Sequence, residues 1–352
     1  LPNTALSSIG LLMAATMSVT NVLTDVARKH ALEGRDLIPA TFWIRTAVTT
    51  VFAIVRLYRM AVVGATVVIR DGGPLFGIAQ VHLAPVPTFL IYLALNVLLI
   101  TAVMWLYFRA LQISPMSMCI PFLSFTPVFL IPTGFIILGE VPSPLKGLGV
   151  GLIVVGSLVM HRRLFAEGWL APVKAVLKEK GSRYMLLVSL IFALTNPLDK
   201  KLVTMSDVFF EAFAYGLGLC ICFWLMGRYQ HGDFAAASRA NWKWISLAGV
   251  LDAVTLLFQL ASYSYIAVVI TVSIKRAGII LAVFSGWLFF KERGITDKVI
   301  AASVMFCGVL ILYLPVNALA ATGITLATLA GMSLALYMTR HEGAEKEKCQ
   351  IN

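Results

Sequence analysis

Lys275 and Arg276 stand side by side inside an otherwise apolar stretch running from about 267 to 290. They lie about eight residues from its start, roughly 12 Å along a helix that rises 1.5 Å per residue, too deep for either side chain to reach the interface easily. On insertion scales a charge at that depth costs at least about 2.5–3.5 kcal/mol unless it meets a partner or a wet cavity. One reading makes the pair donors for a carboxylate or phosphate on a substrate, with the flat guanidinium suited to two parallel hydrogen bonds. The other makes them part of an internal ion pair with Asp252. The turn at Ile266 and Ala267 folds the stretch from 242 to 265 back, leaving Asp252 within about one helical turn of Lys275 in height. Both readings stay open, and a buried Asp252 would also offer a titrating carboxylate for proton exchange.

Other polar residues sit at similar depth. Asn21 and Asn196 each follow a threonine inside an apolar run, and Gln259 lies deep in its own run; substrate contact and helix-to-helix hydrogen bonding explain each equally well. Pro121, Pro127 and Pro132 fall within one stretch and free the carbonyls of Ser117, Leu123 and Val128. Free carbonyls at membrane depth need protein or a water-filled cavity to satisfy them, so this stretch is expected to line a pathway or to kink for packing. Arg45 reads as structural. Glu140 and Glu292, at helix ends, read as caps or interfacial pairs, as does Glu211 in a first turn, and Asp199, Lys200 and Lys201 read as markers of the interface. The spacing of Gly147 and Gly151 suggests close helix packing.

These residues need a membrane to be unusual, and the composition supplies one. The chain is 59% hydrophobic and 13% charged, with a mean hydropathy of +0.89. A soluble domain carries about a quarter charged residues. The net charge of +11 does not gather into one basic stripe but sits at the ends of apolar runs, which argues against a nucleic-acid partner. Apolar runs fall near 6–26, 38–58, 87–108, 116–139 and 145–160, then near 184–202, 208–226, 242–265, 267–290 and 299–314, with a further uncharged run at 317–338. The cysteines show neither a disulfide framework nor zinc spacing. No nucleophile with its base, metal-protease motif or phosphate-binding loop is present, so neither enzyme chemistry nor a metal or cofactor is expected.

The halves repeat. Laying Glu140 on Glu292 puts Gly134 on Gly286, Gly156 on Gly308, and the Ser114-Pro115 turn on Ile266-Ala267. At another offset Thr20-Asn21 matches Thr195-Asn196. An odd number of helices per half makes the second half enter the membrane from the opposite side, an inverted repeat.

The stretches PFLSFTPVFLIPTGFIILGEVPSPLKGLGVGLIVVGSLVM (Pro121 to Met160) and SIKRAGIILAVFSGWLFFKERGITDKVIAASVMFCGVLIL (Ser273 to Leu312) share a glycine within the helix, an acidic residue at its end and a Gly-rich helix after it. Seen twice, this pattern resembles the EamA branch of the drug/metabolite transporter superfamily, from Ile9 to Leu314. The resemblance implies an all-α integral membrane protein: an inverted repeat of two five-helix halves, ten transmembrane helices, to which this sequence adds an extra C-terminal helix. It divides the chain into a first EamA-like repeat at 1–160, a basic inter-repeat loop at 161–183, a second repeat at 184–314, the added helix at 315–339 and a polar tail at 340–352. Such proteins move amino acids, nucleotide sugars, phosphorylated sugars or drugs. A Lys-Arg pair is similar to one in the triose-phosphate translocator branch, where it implies phosphate binding, but EamA exporters carry it too.

The expectation is therefore a secondary carrier of a small polar metabolite, anionic if Lys275 and Arg276 face it. Protons or a counter-substrate would be its coupling partners and the lipid bilayer its solvent. A sugar-phosphate or nucleotide-sugar antiporter is the alternative within transport, and a membrane enzyme or scaffold the alternative outside it. The membrane is the plasma membrane in a bacterium or an organelle membrane in a eukaryote. Alternate loops beginning at Arg28 hold most of the Lys and Arg, which places the 161–183 loop and the tail in the cytosol, the N-terminus outside and the span count at eleven. The family plan instead puts both termini in the cytosol.

Overall fold

The computed structural model describes residues 2–32, 36–64, 66, 68–72, 84–113, 123, 125–159, 180–230, 232–278 and scattered positions between 303 and 326. In chain order the helices are α1 (Pro2–Leu32), α2 (Leu37–Val63), α3 (Pro85–Ile113), α4 (Thr126–Leu138), α5 (Pro144–Val159), α6 (Lys180–Met205), α7 (Val208–Tyr229), α8 (Phe234–Ala240), α9 (Trp242–Tyr263) and α10 (Val268–Ala277). There is no strand among the described residues. Five of these helices contain spans long and apolar enough to cross a membrane: Leu6–Arg28, Leu37–Val63, Pro85–Tyr107, Val208–Tyr229 and Trp242–Tyr263. Large apolar side chains face outward, Leu57, Leu98, Ile136 and Leu225 among them, while Arg45, Asp199, Glu211 and Asp252 are buried. Such a distribution suits lipid outside and polar compensation within.

Helix ends follow local chemistry. Asp207 caps α7, its carboxylate accepting the N–H groups of Phe209 at 2.9 Å and Phe210 at 3.2 Å, and Asp233 caps α8 in the same way. This answers amide groups that the first turn cannot pair internally. Gly64 and Gly139 close α2 and α4 in the left-handed conformation, at φ of 65° and 70°, where a side chain would be strained.

The helices pack as crossed pairs. α1 runs antiparallel to α9: Ala27 and Ala31 meet Ile245 and Ala248, and the Asn241 side chain donates to the His30 carbonyl at 3.0 Å. Its counterpart α6 does the same with α3, joining Met185 and Val188 to Val103 and Ala110, and Leu198 and Leu202 to Phe89 and Tyr92. α2 lies along α7, α4 rests on α6 as α10 rests on α1, and α4 meets α10. Every one of these pairings either maps onto another or onto itself when the halves are exchanged, as an inverted repeat requires. The largest apolar core draws Met17, Phe52, Leu130 and Ile153 from the first half and Tyr263, Val269 and Ile274 from the second.

The repeat is geometric more than chemical. Three residues after Asn21, the Thr24 hydroxyl meets the Thr255 hydroxyl of α9 at 3.1 Å. Three residues after Asn196, the matching place holds Asp199, which accepts the Asn96 amide of α3 at 2.5 Å. Asp199 is thus 7% exposed and bonded inside the bundle, not at the interface where its neighbouring lysines had suggested it lay.

One expectation about glycine changes. Among the described residues a Cβ on Gly147 or Gly151 would meet nothing, whereas one on Gly308 would stand 2.7 Å from the Gly149 carbonyl oxygen. Close approach is made one face around from the spacing read in sequence. The run at 315–339 and Glu292 lie outside the described residues apart from isolated positions, so the eleventh span rests on sequence alone.

Gly249 is where α9 comes closest to α2: a Cβ there would stand 2.4 Å from the Ala47 Cβ and 3.2 Å from the Ile44 carbonyl oxygen. Neither neighbour is a flexible side-chain end, so Gly249→Ala is expected to cost about 1–3 kcal/mol through overpacking. Gly147→Ala should be neutral. Thermal melting of the two variants in detergent checks this contrast.

Candidate functional site

The turn that starts α10 is pinned by charge. Glu140, at the end of α4, accepts the Val268 N–H at 3.1 Å and pairs with Lys200 of α6 at 2.5 Å, while Lys200 also donates to the Ile266 carbonyl at 3.0 Å. Glu140 is therefore a cap for a helix in the other half as well as an ion-pair partner. From this anchor α10 runs inward, tied to α9 through Ser262 and Thr271 and to α1 through the Ser18 hydroxyl, which donates to the Ile274 carbonyl at 3.1 Å.

Lys275 and Arg276 follow in the last described turn of α10. Consecutive helical positions diverge by about 100°, and the two cations serve different neighbours. Lys275 donates to the Gln259 side-chain oxygen at 2.8 Å. Arg276 reaches the Thr126 hydroxyl at 3.4 Å and lies over the Phe192 ring at 5.8 Å, within cation–π range. Both are only partly buried, unlike the residues around them.

A chain of hydrogen bonds continues from Lys275 through the second half. Gln259 donates to the Tyr263 hydroxyl at 3.0 Å, and Tyr263 donates to the Asn196 side-chain oxygen at 2.9 Å. Asn196 in turn donates to the Phe192 carbonyl, so its polar group is held by α6 itself and by α9. Three sequence-predicted residues, Lys275, Gln259 and Asn196, thereby come together. Asn21 is half-buried on α1, a different helix in the other half.

The proline helix meets the same place. Pro127 occupies the first turn of α4, where its missing N–H costs little, and the Leu123 carbonyl is taken by the Thr126 hydroxyl at 2.6 Å. That hydroxyl also donates to the Ser189 hydroxyl at 3.2 Å and faces Arg276. Pro132 lies in the helix interior; one residue on, the Thr133 hydroxyl donates to the Ala193 carbonyl at 2.6 Å. Pro121 lies outside the described residues.

Asp252 has other partners than the one expected of it. Its carboxylate pairs with Arg28 of α1 at 2.7 Å and with Arg45 of α2 at 3.0 Å. Lys275 lies within electrostatic reach of both Asp252 and Asp199. Arg28 was hidden in sequence because it looks like a basic residue at a helix end. Asn96 was hidden because nothing in an apolar run marks which helix will cross it. Tyr263 reads as one more interfacial aromatic until α9 is folded against α6.

With this geometry in view, the family can be stated. The model of the EamA-like transporter family matches residues 8–162 and again 179–314, and the chain belongs to that family. It is a multi-pass membrane transporter of the drug/metabolite superfamily, built from two repeats. A search of curated proteins finds no match. Among solved structures, one titled "Crystal structure of protein" superimposes with a TM-score of 0.59 over 88% of this chain and 96% of its own, at 13% identity. At that identity the likeness speaks for the fold alone.

Removing one member of a buried ion pair strands the others at a cost of about 3–5 kcal/mol. Asp252→Asn is therefore expected to lower the melting temperature strongly. Arg45→Gln in the same chain should recover part of that loss, and Lys275→Gln should recover much less. A double-mutant cycle on purified protein measures the two coupling energies directly.

Proposed function

We propose that the protein is a secondary carrier, an exporter or exchanger, that moves a small polar metabolite bearing an anionic group by alternating access. The observation supporting this most is the placement of Lys275 and Arg276. They stand where α10, α9, α6 and the start of α4 converge, in the seam between the repeats, Lys275 bonded to Gln259 and Arg276 to Thr126. Ammonium and guanidinium groups donate the charge-assisted hydrogen bonds that suit a carboxylate or phosphate. Asn196 and Gln259 supply neutral donors and acceptors beside it, and Thr126 and Ser189 do so on the α4 side. The repeat supports alternating access, in which the same pairings made in two ways would open the seam to either side.

The test is counterflow in liposomes holding the purified full-length chain, with labelled amino acids, dicarboxylates, sugar phosphates and organic cations in one panel. Anions are expected to exchange and organic cations are not. Loss of one charge-assisted hydrogen bond is worth about 1.5–3 kcal/mol. Lys275→Gln and Arg276→Gln should therefore each raise the half-saturation concentration roughly tenfold or more, with insertion intact. Unchanged transport in both variants, or exchange of organic cations alone, would refute the reading.

A further inference from the structure

Glu211 is 0% exposed in the first turn of α7, and neither of its carboxylate oxygens has a hydrogen-bond partner among the described residues. Asp207 already caps that helix end, so Glu211 has no capping duty. Its sequence position suggested an interfacial cap; the fold turns it inward instead.

The groups brought near it do not neutralise it. From α6 comes Asp199, a second carboxylate within electrostatic reach. From α9 comes the Tyr263 hydroxyl, already donating to Asn196. α3 contributes Asn96, whose amide donates to Asp199. Along α7 itself lies Tyr215, one turn on. Of the cations of α2, Arg45 pairs with Asp252 and Arg59 with Asp207 at 3.1 Å, while the buried Arg56 lies 3.9 Å from Asp207 without a hydrogen bond to it. Lys275 is in electrostatic reach of Asp199 and donates to Gln259.

An ionised carboxylate without a donor, enclosed by protein and facing a like charge, is far costlier than the neutral acid. One proton on Glu211 removes its unpaired buried charge and the repulsion, leaving a single charge on Asp199. Asp199, which has a donor in Asn96 and a cation in Lys275, is the better placed of the two to ionise.

We propose that Glu211 and Asp199 form a proton-binding pair in which Glu211 is the neutral member at rest and its carboxyl carries an exchangeable proton. The step is simple protonation of a carboxylate to a carboxylic acid, with no other bond formed or broken. This inference rests on the carrier reading only for its use, where it supplies the coupling ion. In that role it places proton exchange at Glu211 and Asp199 instead of at Asp252, which is bound by two arginines.

The test needs no substrate, so its failure is separate from a failure of the transport reading. Infrared difference spectra of the full-length protein in lipid, recorded as pH is raised, should show the carbonyl stretch of a protonated carboxylic acid that bleaches. Glu211→Gln should remove that band, and Asp199→Asn should change the pH range over which it bleaches. Because the amide imitates the neutral acid, Glu211→Gln should also melt no lower than the wild type. Spectra of wild type and Glu211→Gln that superimpose at every pH would overturn the proposal. So would a large drop in the melting temperature of Glu211→Gln, which would mean that the native side chain is ionised at rest.

Discussion

Asp252 receives Arg28 at 2.7 Å and Arg45 at 3.0 Å, and in doing so binds α9 to α1 and α2. In water such contacts are worth little, because both charges are solvated whether or not they meet. Inside an apolar bundle the comparison changes: each charge needs the others, and separating the helices would strand all three. The remaining architecture is compatible with this one requirement. α1 lies antiparallel to α9, so that Arg28, near the end of its helix, reaches a carboxylate near the middle of the other. Gly249 lets α2 approach closely enough for Arg45 to join.

The same logic explains why Lys275 and Arg276 differ from that triad. Their hydrogen bonds to an amide and a hydroxyl fix their position. An ion-paired cluster at Asp252 and two cations held by neutral groups thus occupy different parts of the interior. Both occur within a few helical turns, in the same low-dielectric surroundings.

Much of this was legible in the sequence, and the residues show where legibility stops. Spans such as 208–226 and 242–265 follow from apolar length, and α7 begins where its run begins because Asp207 precedes it and caps it. Depth along a helix was readable too, which is why Lys275, Gln259 and Asn196 stood out. Direction around a helix was not. Asp199 beside two lysines reads as interfacial, yet its lysine neighbour Lys200 turns to Glu140 while Asp199 turns to Asn96. Partner choice was no better determined: Asp252 was placed near Lys275 by height along adjoining helices, whereas Arg28 and Arg45 arrive from helices whose crossing no local pattern encodes.

Thr24 and Asp199 occupy matching places in the two halves, yet one is a hydroxyl facing a hydroxyl and the other a carboxylate facing an amide. An exchange of the halves would carry the shape of the molecule onto itself but not its charges. Two arrangements related by such an exchange would match in outline about a pseudo-two-fold axis and differ in energy. With identical solutions on both sides they would be unequally populated, without net cycling, and Asp199 is one of the residues that sets the difference.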